Sequence, residues 1–272
     1  MKKILIILNC FLFLVSIGGC SCYKKEMPLG VWWWDDTLDD TYLDFARDNN
    51  VTEIYYCSDD FNSKTANFIE KANAFNMKVY WLAGEYQWLD NSNKLYDKIS
   101  LYKKYQNEYS NQKFDGIHLD IEPHQNPDFS SNRQNLILSL IQLANRLNVD
   151  FPDVTFDYDI PFWFNDLIDF ENSKKPAYAH MIDIANRVFL MSYRDNYQDI
   201  YSISKDEIEY ANENNKKLFL GVETKSDEGD NVSFQEEGKK IMEEEIANVR
   251  GLIPSDFGVA IHHIKTWYNL KQ

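Results

Sequence analysis

His118, Asp120 and Glu122 stand two residues apart in the run Phe114-Asp115-Gly116-Ile117-His118-Leu119-Asp120-Ile121-Glu122-Pro123. Such alternation belongs to a β-strand, where successive side chains point to opposite faces. Ile117, Leu119 and Ile121 then share the face that packs against neighbouring helices, and His118, Asp120 and Glu122 share the other. A rise of about 3.3 Å per residue puts the Cα atoms of Asp120 and Glu122 ~6.6 Å apart. Two carboxyls that close and partly buried push one another's proton affinity apart, so that one holds its proton at a higher pH. A protonated acid beside an ionised partner suits the protonation of a leaving oxygen, as in cleavage of a glycosidic bond. The plainer reading is a solvated strand end with ordinary carboxylates. It does not explain an inward row of His, Asp and Glu, which is costly to bury without partners. His118 by itself reads as a hydrogen-bonded spacer beneath the acids rather than as a metal ligand.

The strand needs a frame to hold it. Strand-like apolar runs recur at 29–34, 52–57, 78–83, 116–121, 154–160, 188–193, 218–222 and 257–262. Their starts are spaced by roughly the 30 residues of one strand-plus-helix unit. Between them, residues 63–76 read as a helix capped at Ser63, and 131–148 carry Leu136, Leu140, Leu143 and Leu147 on one stripe. Residues 91–111 read as a polar, surface-lying helix with a tyrosine stripe. Residues 234–249 read as a charged helix, and 266–270 as a stunted last one. Eight alternations predict a single (β/α)8 barrel over residues 29–272. The competing doubly wound sheet opens on a glycine-rich turn, and Trp32-Trp33-Trp34-Asp35-Asp36 is unlike one.

A barrel of this kind carries its active residues at the C-terminal ends of its strands. Beyond strand four those ends supply Asp35 and Asp36, Asp59 and Asp60, Glu85, Asp157 and Asp159. Later strands add Tyr193 and Asp195, Glu223, and His262 and His263. Acids after strands also serve in loops and helix caps, so each alone reads as structural. Of this set, Asp159, Asp195 and Glu223, together with His118, are expected to contact a substrate. Trp32, Trp33, Trp34, Trp81, Tyr86, Trp88, Trp163 and Trp267 lie in or just after predicted strands. Sugar rings stack their C–H faces on aromatics, and pockets use few of these, so two or three are expected to face ligand, with Trp81 and Trp267 among them.

The segment Asp115-Gly116-Ile117-His118-Leu119-Asp120-Ile121-Glu122 resembles the strand-four signature D-G-x-D-x-D-x-E of glycoside hydrolase family 18, the chitinase-like barrels. Met191-Ser192-Tyr193-Arg194-Asp195 resembles that family's strand-six M-T-Y-D segment, in the right order along the chain. The resemblance implies that Glu122 is the general acid, that Asp120 orients and stabilises a 2-acetamido group on the substrate, and that the Tyr193 hydroxyl supports that group. The acetamido oxygen then attacks the anomeric carbon, and no enzyme nucleophile is needed. It implies a GlcNAc-containing glycan or polysaccharide as substrate and no cofactor. Three departures stand out. His118 replaces the middle aspartate, Arg194 separates Tyr193 from Asp195, and His262 and His263 occupy the last strand where a tryptophan is expected. Two rivals follow from these departures: a carbohydrate-binding barrel without turnover, and a metal-dependent hydrolase using His118, His262 and His263. No HxH or HExxH spacing supports the second.

The remaining features concern place and partners. Among 272 residues, 28 Lys+Arg face 43 Asp+Glu, a formal net charge of -15, which repels nucleic acid. Aromatics make up 15% and glycine and proline number only 10 and 7, so a disordered or collagen-like chain is excluded. Lys2 and Lys3 precede an apolar run over 4–15 and then Ser16-Ile17-Gly18-Gly19-Cys20. This pattern reads as an export signal, too short to span a bilayer comfortably. Ile17-Gly18-Gly19-Cys20 resembles the lipobox of bacterial lipoproteins, which implies removal of residues 1–19 and lipidation of Cys20. Residues 20–28 then form a tether, and the domain is held on a membrane facing the outside or the periplasm. Four cysteines (Cys10, Cys20, Cys22 and Cys57) provide neither a disulfide framework nor a zinc-type CxxC, and Cys57 reads as a small buried apolar residue.

Overall fold

The computed structural model describes residues 27–34, 38–226 and 229–272. The export signal, Cys20, Cys22, most of the tether and the pair Asp35 and Asp36 lie outside the described residues.

Eight parallel strands close into a barrel in the order β1-β10-β9-β8-β5-β4-β3-β2. They are β1 (Leu29–Trp33), β2 (Glu53–Cys57), β3 (Lys78–Ala83), β4 (Gly116–Leu119), β5 (Phe156–Pro161), β8 (Arg187–Met191), β9 (Lys217–Glu223) and β10 (Gly258–His262). All eight predicted strands are present. The helices on the outside are α1 (Asp40–Asp48), α2 (Ser63–Ala74), α3 (Asn93–Glu108), α4 (Phe129–Asp150), α5 (Ala177–Ile184), α6 (Tyr197–Ile203), α7 (Lys205–Glu213), α8 (Lys239–Arg250) and α9 (Ile264–Tyr268). The cap of α2 is Asn62, whose side chain accepts from the Lys64 amide at 2.8 Å, so Ser63 is the first helical residue and not the cap. Helix α3 is not merely surface-lying, because it buries Leu95, Ile99, Tyr102 and Tyr105. Among the described residues no helix is long and apolar enough to cross a membrane.

One addition escaped the sequence reading. Between β5 and α5, β6 (Leu167–Phe170) and β7 (Ser173–Pro176) form an antiparallel hairpin. Its two-residue turn puts Glu171 and Asn172 at φ 50° and 61°, the left-handed geometry that suits a tight hairpin. The segment is short and mostly exposed, so no strong alternation marks it.

Strand periodicity sorts the core into two bodies. Ile117, Leu119 and Ile121 face outward into the layer between strands and helices, together with Trp33 and Trp81. Trp32, Tyr55, Tyr80, Leu82, Phe189 and Phe219 fill the barrel interior. His118 is stacked there on Tyr55 with ring centroids 4.4 Å apart and lies 4.5 Å from Phe189. At the opposite rim from the strand ends, Arg187 pairs with Glu53 at 2.5 Å and with Asp157 at 2.6 Å. Its guanidinium lies 4.5 Å over the Tyr80 ring. Asp157, read in the sequence as a strand-end acid, therefore belongs to this floor.

Candidate active site

Above the aromatic plug, the upper ends of β3, β4, β8, β9 and β10 surround a groove of about 510 Å³. Asp120 and Glu122, just past the last residue of β4, both line it, as do Tyr193, Glu223, His262, Trp34 and Tyr86. The alternation read from the sequence produces this geometry: the outward residues Ile117, Leu119 and Ile121 are at most 1% exposed against the helices. The end of β3 makes room for the acid strand. Asp120 donates its amide to the Ala83 carbonyl at 3.0 Å, and a Cβ on Gly84 would meet the Asp120 carbonyl oxygen at 1.8 Å. Only glycine allows this approach.

The Glu122 side chain is 16% exposed. Burial raises its proton affinity above the ordinary range, and the nearby His262 opposes that shift. Pro123, His124 and Gln125 turn back at once in a short 3-10 segment, which brings two side chains onto the carboxyl. The Gln125 amide donates to Oε2, and His124 Nε2 lies 3.4 Å from Oε1. His124 is itself shifted down, by burial first and then by Arg133, so it is neutral. Neither residue was singled out by sequence reasoning. The proline directly after Glu122 was the available signal, because it ends the strand and starts a tight turn.

Asp120 is raised well above the ordinary carboxylate range, by burial, then by Asp159 and Glu122. Tyr193 is raised as well, by burial and then by Glu223, Asp159, Asp120 and Glu122, so its hydroxyl stays protonated and able to donate. On the far wall Glu223 accepts from the Thr224 and Lys225 amides at 2.7 and 2.8 Å through Oε1, and its Oε2 lies 2.8 Å from His262 Nδ1. A carboxylate held by two backbone donors is fixed in position, and it orients the imidazole that it contacts.

Several residues expected to touch a substrate lie elsewhere. His118 is 0% exposed inside the barrel, below the groove. Burial drives its proton affinity down to about 3, so it is a neutral ring. Asp159 is also buried, against His118 and Trp32. Asp195 accepts from Asn196 at 3.1 Å and does not line the groove. Trp81 points outward and donates to the Ser58 carbonyl at 2.9 Å, and Trp267 packs edge-on against Phe45 at 5.0 Å in the same outer layer. Trp34 and Tyr86 join Tyr193 as the Trp and Tyr side chains at the groove. Parity identifies Trp34, since it shares a face with the inward Trp32. Asp59, Asp60, His263 and Cys57 line a second cavity on the β1–β2 side, so Cys57, expected to be a small buried apolar residue, is half-buried and packs on the barrel core from one side. His262 faces the groove and His263 the second cavity, their rings edge-to-face at 5.3 Å, while His118 lies buried in the barrel below. Among the described residues no three His, Cys, Asp or Glu are gathered so as to hold a metal ion.

No protein-family model and no curated protein matches the sequence. By fold, the chain is similar to a chitinase from Bacteroides thetaiotaomicron, with TM-score 0.58 and 14% identity over 89% of this chain and 90% of that one. A putative alpha-L-fucosidase from Bacteroides thetaiotaomicron VPI-5482 aligns with TM-score 0.54 and 10% identity over 94% and 91% of the two chains. A chitinase from Rhizomucor miehei aligns with TM-score 0.51 and 12% identity over 89% and 98%. At these identities the likeness is one of fold.

Proposed function

We propose that the chain is a glycoside hydrolase that cleaves a GlcNAc-containing glycan by acid catalysis. The observation that carries this reading is the meeting of Asp120, Glu122 and Tyr193 in one groove at the top of the barrel. Glu122 is the acid. Its raised proton affinity keeps the carboxyl protonated at a pH where exposed glutamates are ionised, and it delivers that proton to the glycosidic oxygen. Asp120 and the Tyr193 hydroxyl hold the 2-acetamido group, whose oxygen attacks the anomeric carbon as the bond to the leaving group breaks. Water then opens the cyclic intermediate. Two inversions at the same carbon leave the product with the starting anomeric configuration. Trp34 and Tyr86 offer ring faces for the sugar. The fold likeness to chitinases supports the choice of sugar class. The sequence at Ile17-Gly18-Gly19-Cys20 supports export and a lipid anchor at Cys20.

The test is hydrolysis of chito-oligosaccharides by the wild type and by Glu122→Gln. The variant should lose roughly 10²- to 10⁴-fold in kcat while its circular dichroism is unchanged. Equal turnover would remove Glu122 as the acid. In membranes of the expressing host, the full chain should partition into detergent and Cys20→Ser should not.

A second reading, a sugar-binding barrel without turnover, draws on the hydrogen bonding of Glu122. Donation from Gln125 favours the ionised carboxylate over the acid, against the effect of burial. Tight chito-oligosaccharide binding with no product after prolonged incubation would select it.

A further inference from the structure

Among the carboxyls of the barrel that the proposed reaction does not use, one lies directly beneath the groove. Asp159, on β5, is 3% exposed. Its Oδ2 lies 2.8 Å from His118 Nε2 and accepts from Trp32 Nε1 at 3.1 Å. Its Oδ1 has no hydrogen-bond partner, and neither does Oδ1 of Asp120. These two orphaned oxygens belong to neighbouring strands. The register pairs His118 with Asp157 and Leu119 with Tyr158, so the next step sets Asp120 beside Asp159 on the inward face. Adjacent strands run about 4.8 Å apart, within reach of a direct carboxyl–carboxyl hydrogen bond.

Two carboxylates at that separation resist both being ionised, because Asp159 is shut away from water and the unpartnered Oδ1 of Asp120 is buried as well. A proton between them satisfies both orphaned oxygens at once. His118 supports this arrangement. Its Nδ1 is buried and unpartnered, so a neutral ring carrying its proton on Nε2 leaves no donor unsatisfied and donates to Asp159 Oδ2. Trp32 Nε1 donates to the same oxygen at 3.1 Å, closer than its 3.3 Å approach to His118 Nε2, which does not accept when it bears the ring proton. With Oδ2 occupied by two donors, the proton of Asp159 is left to Oδ1.

We propose that Asp159 is a positioning residue that shares a single proton with Asp120 across β4 and β5, with Trp32 and His118 clamping its other oxygen. The pair carries one negative charge. Movement of the proton from Asp120 Oδ1 to Asp159 Oδ1 gives Asp120 the whole charge and leaves the total unchanged. Positive charge developing on a sugar above Asp120 draws the proton downward, so the interaction strengthens as the bond breaks. The groups facing the pair are Glu122, His118 and Asp157 from the same two strands, Tyr193 after β8, Glu223 on β9 and His262 on β10. The catalytic consequence rests on the reading of Glu122 and Asp120 given above, whereas the shared proton does not.

The test needs no substrate. Aspartate labelled with ¹³C at the side-chain carboxyl is incorporated into the full chain, and the wild type, Asp159→Asn and Asp120→Asn are titrated by NMR. In the wild type, one protonated carboxyl should persist at a pH where every exposed aspartate is ionised, and each variant should lose that signal's two-step behaviour. In Asp159→Asn the Asp120 resonance should titrate at lower pH than the upper step of the wild type. Two ionised carboxyls in the wild type, or an Asp120 titration that is the same in Asp159→Asn, would overturn the pair. Asp120→Asn reports the same coupling through Asp159 should Asp159→Asn fold poorly. If the wild type hydrolyses chito-oligosaccharides, Asp159→Asn should lower kcat about 10²-fold with KM within about twofold and should displace the pH profile. Absence of all hydrolysis would count against the glycosidase reading, and the titration would still decide the pair.

Discussion

Glu122 and Asp120 sit two residues apart just past the end of β4, yet their surroundings divide the work between them. Glu122 faces the groove with two polar neighbours from its own turn, whereas Asp120 stands beside Asp159 in the strand register. Both are shifted up, and for Glu122 the first cause is burial. An acid must be protonated to act. Turnover by the wild type should therefore fall as the pH rises through the raised value of Glu122, giving the alkaline side of the rate profile. That limb should move to lower pH if burial is relieved. A profile of kcat/KM against pH measures it. The alternation of Ile and acid in β4 announced these two residues directly. His124 and Gln125 were not legible, because they reach Glu122 through a turn rather than through strand parity. Asp157 and Asp159 show the other limit. Both face inward on β5, and only the depth of each along the strand makes one part of the floor and the other a neighbour of Asp120.

Where β3 meets β4, the two strand ends touch without an intervening side chain. Gly84 follows β3 and lies against the Asp120 backbone. In Gly84→Ala the added methyl must displace the Asp120 carbonyl, which moves the carboxyl above it. Placement errors of about 1 Å cost on the order of 10²-fold in rate. Gly84→Ala should therefore lose activity of this order while the barrel still melts cooperatively, as followed by circular dichroism. Wild-type turnover in this variant would mean that the approach is slack. Strand parity also accounts for the tryptophans. Trp32 and Trp34 point inward and Trp33 outward, while in β3 Tyr80 and Leu82 point inward and Trp81 outward. Counting by twos from any fixed residue would have kept Trp81 out of the groove. The hairpin of β6 and β7 carried no such signal, because its exposed residues are not sorted by a core.

Across the molecule, the closed strand order leaves the barrel two unlike rims. One holds the groove, and the other holds the buried cluster of Arg187, Glu53 and Asp157, which joins β8 to β2 and β5. Arg187 stays charged there: burial acts against its charge, but the paired carboxylates outweigh it. Removing the cation from such a cluster strands two buried acids and is expected to cost about 3–5 kcal/mol. Arg187→Met should show this loss in urea unfolding, and a change below about 1 kcal/mol would mean that water reaches the acids. The eight alternating runs made the barrel legible from sequence, since each strand needs its own helix to cover it. The split between floor and groove was not, because acids occur at both ends of strands. This polarity bears on how the molecule presents itself. Leu29 enters β1 on the floor side, where Arg250 holds the carbonyls of Met27 and Pro28. Strands of five or six residues then carry the chain roughly 15–20 Å to the opposite rim. An attachment through the residues before Leu29 would grip the barrel by its base, leaving its mouth turned away from whatever surface holds it.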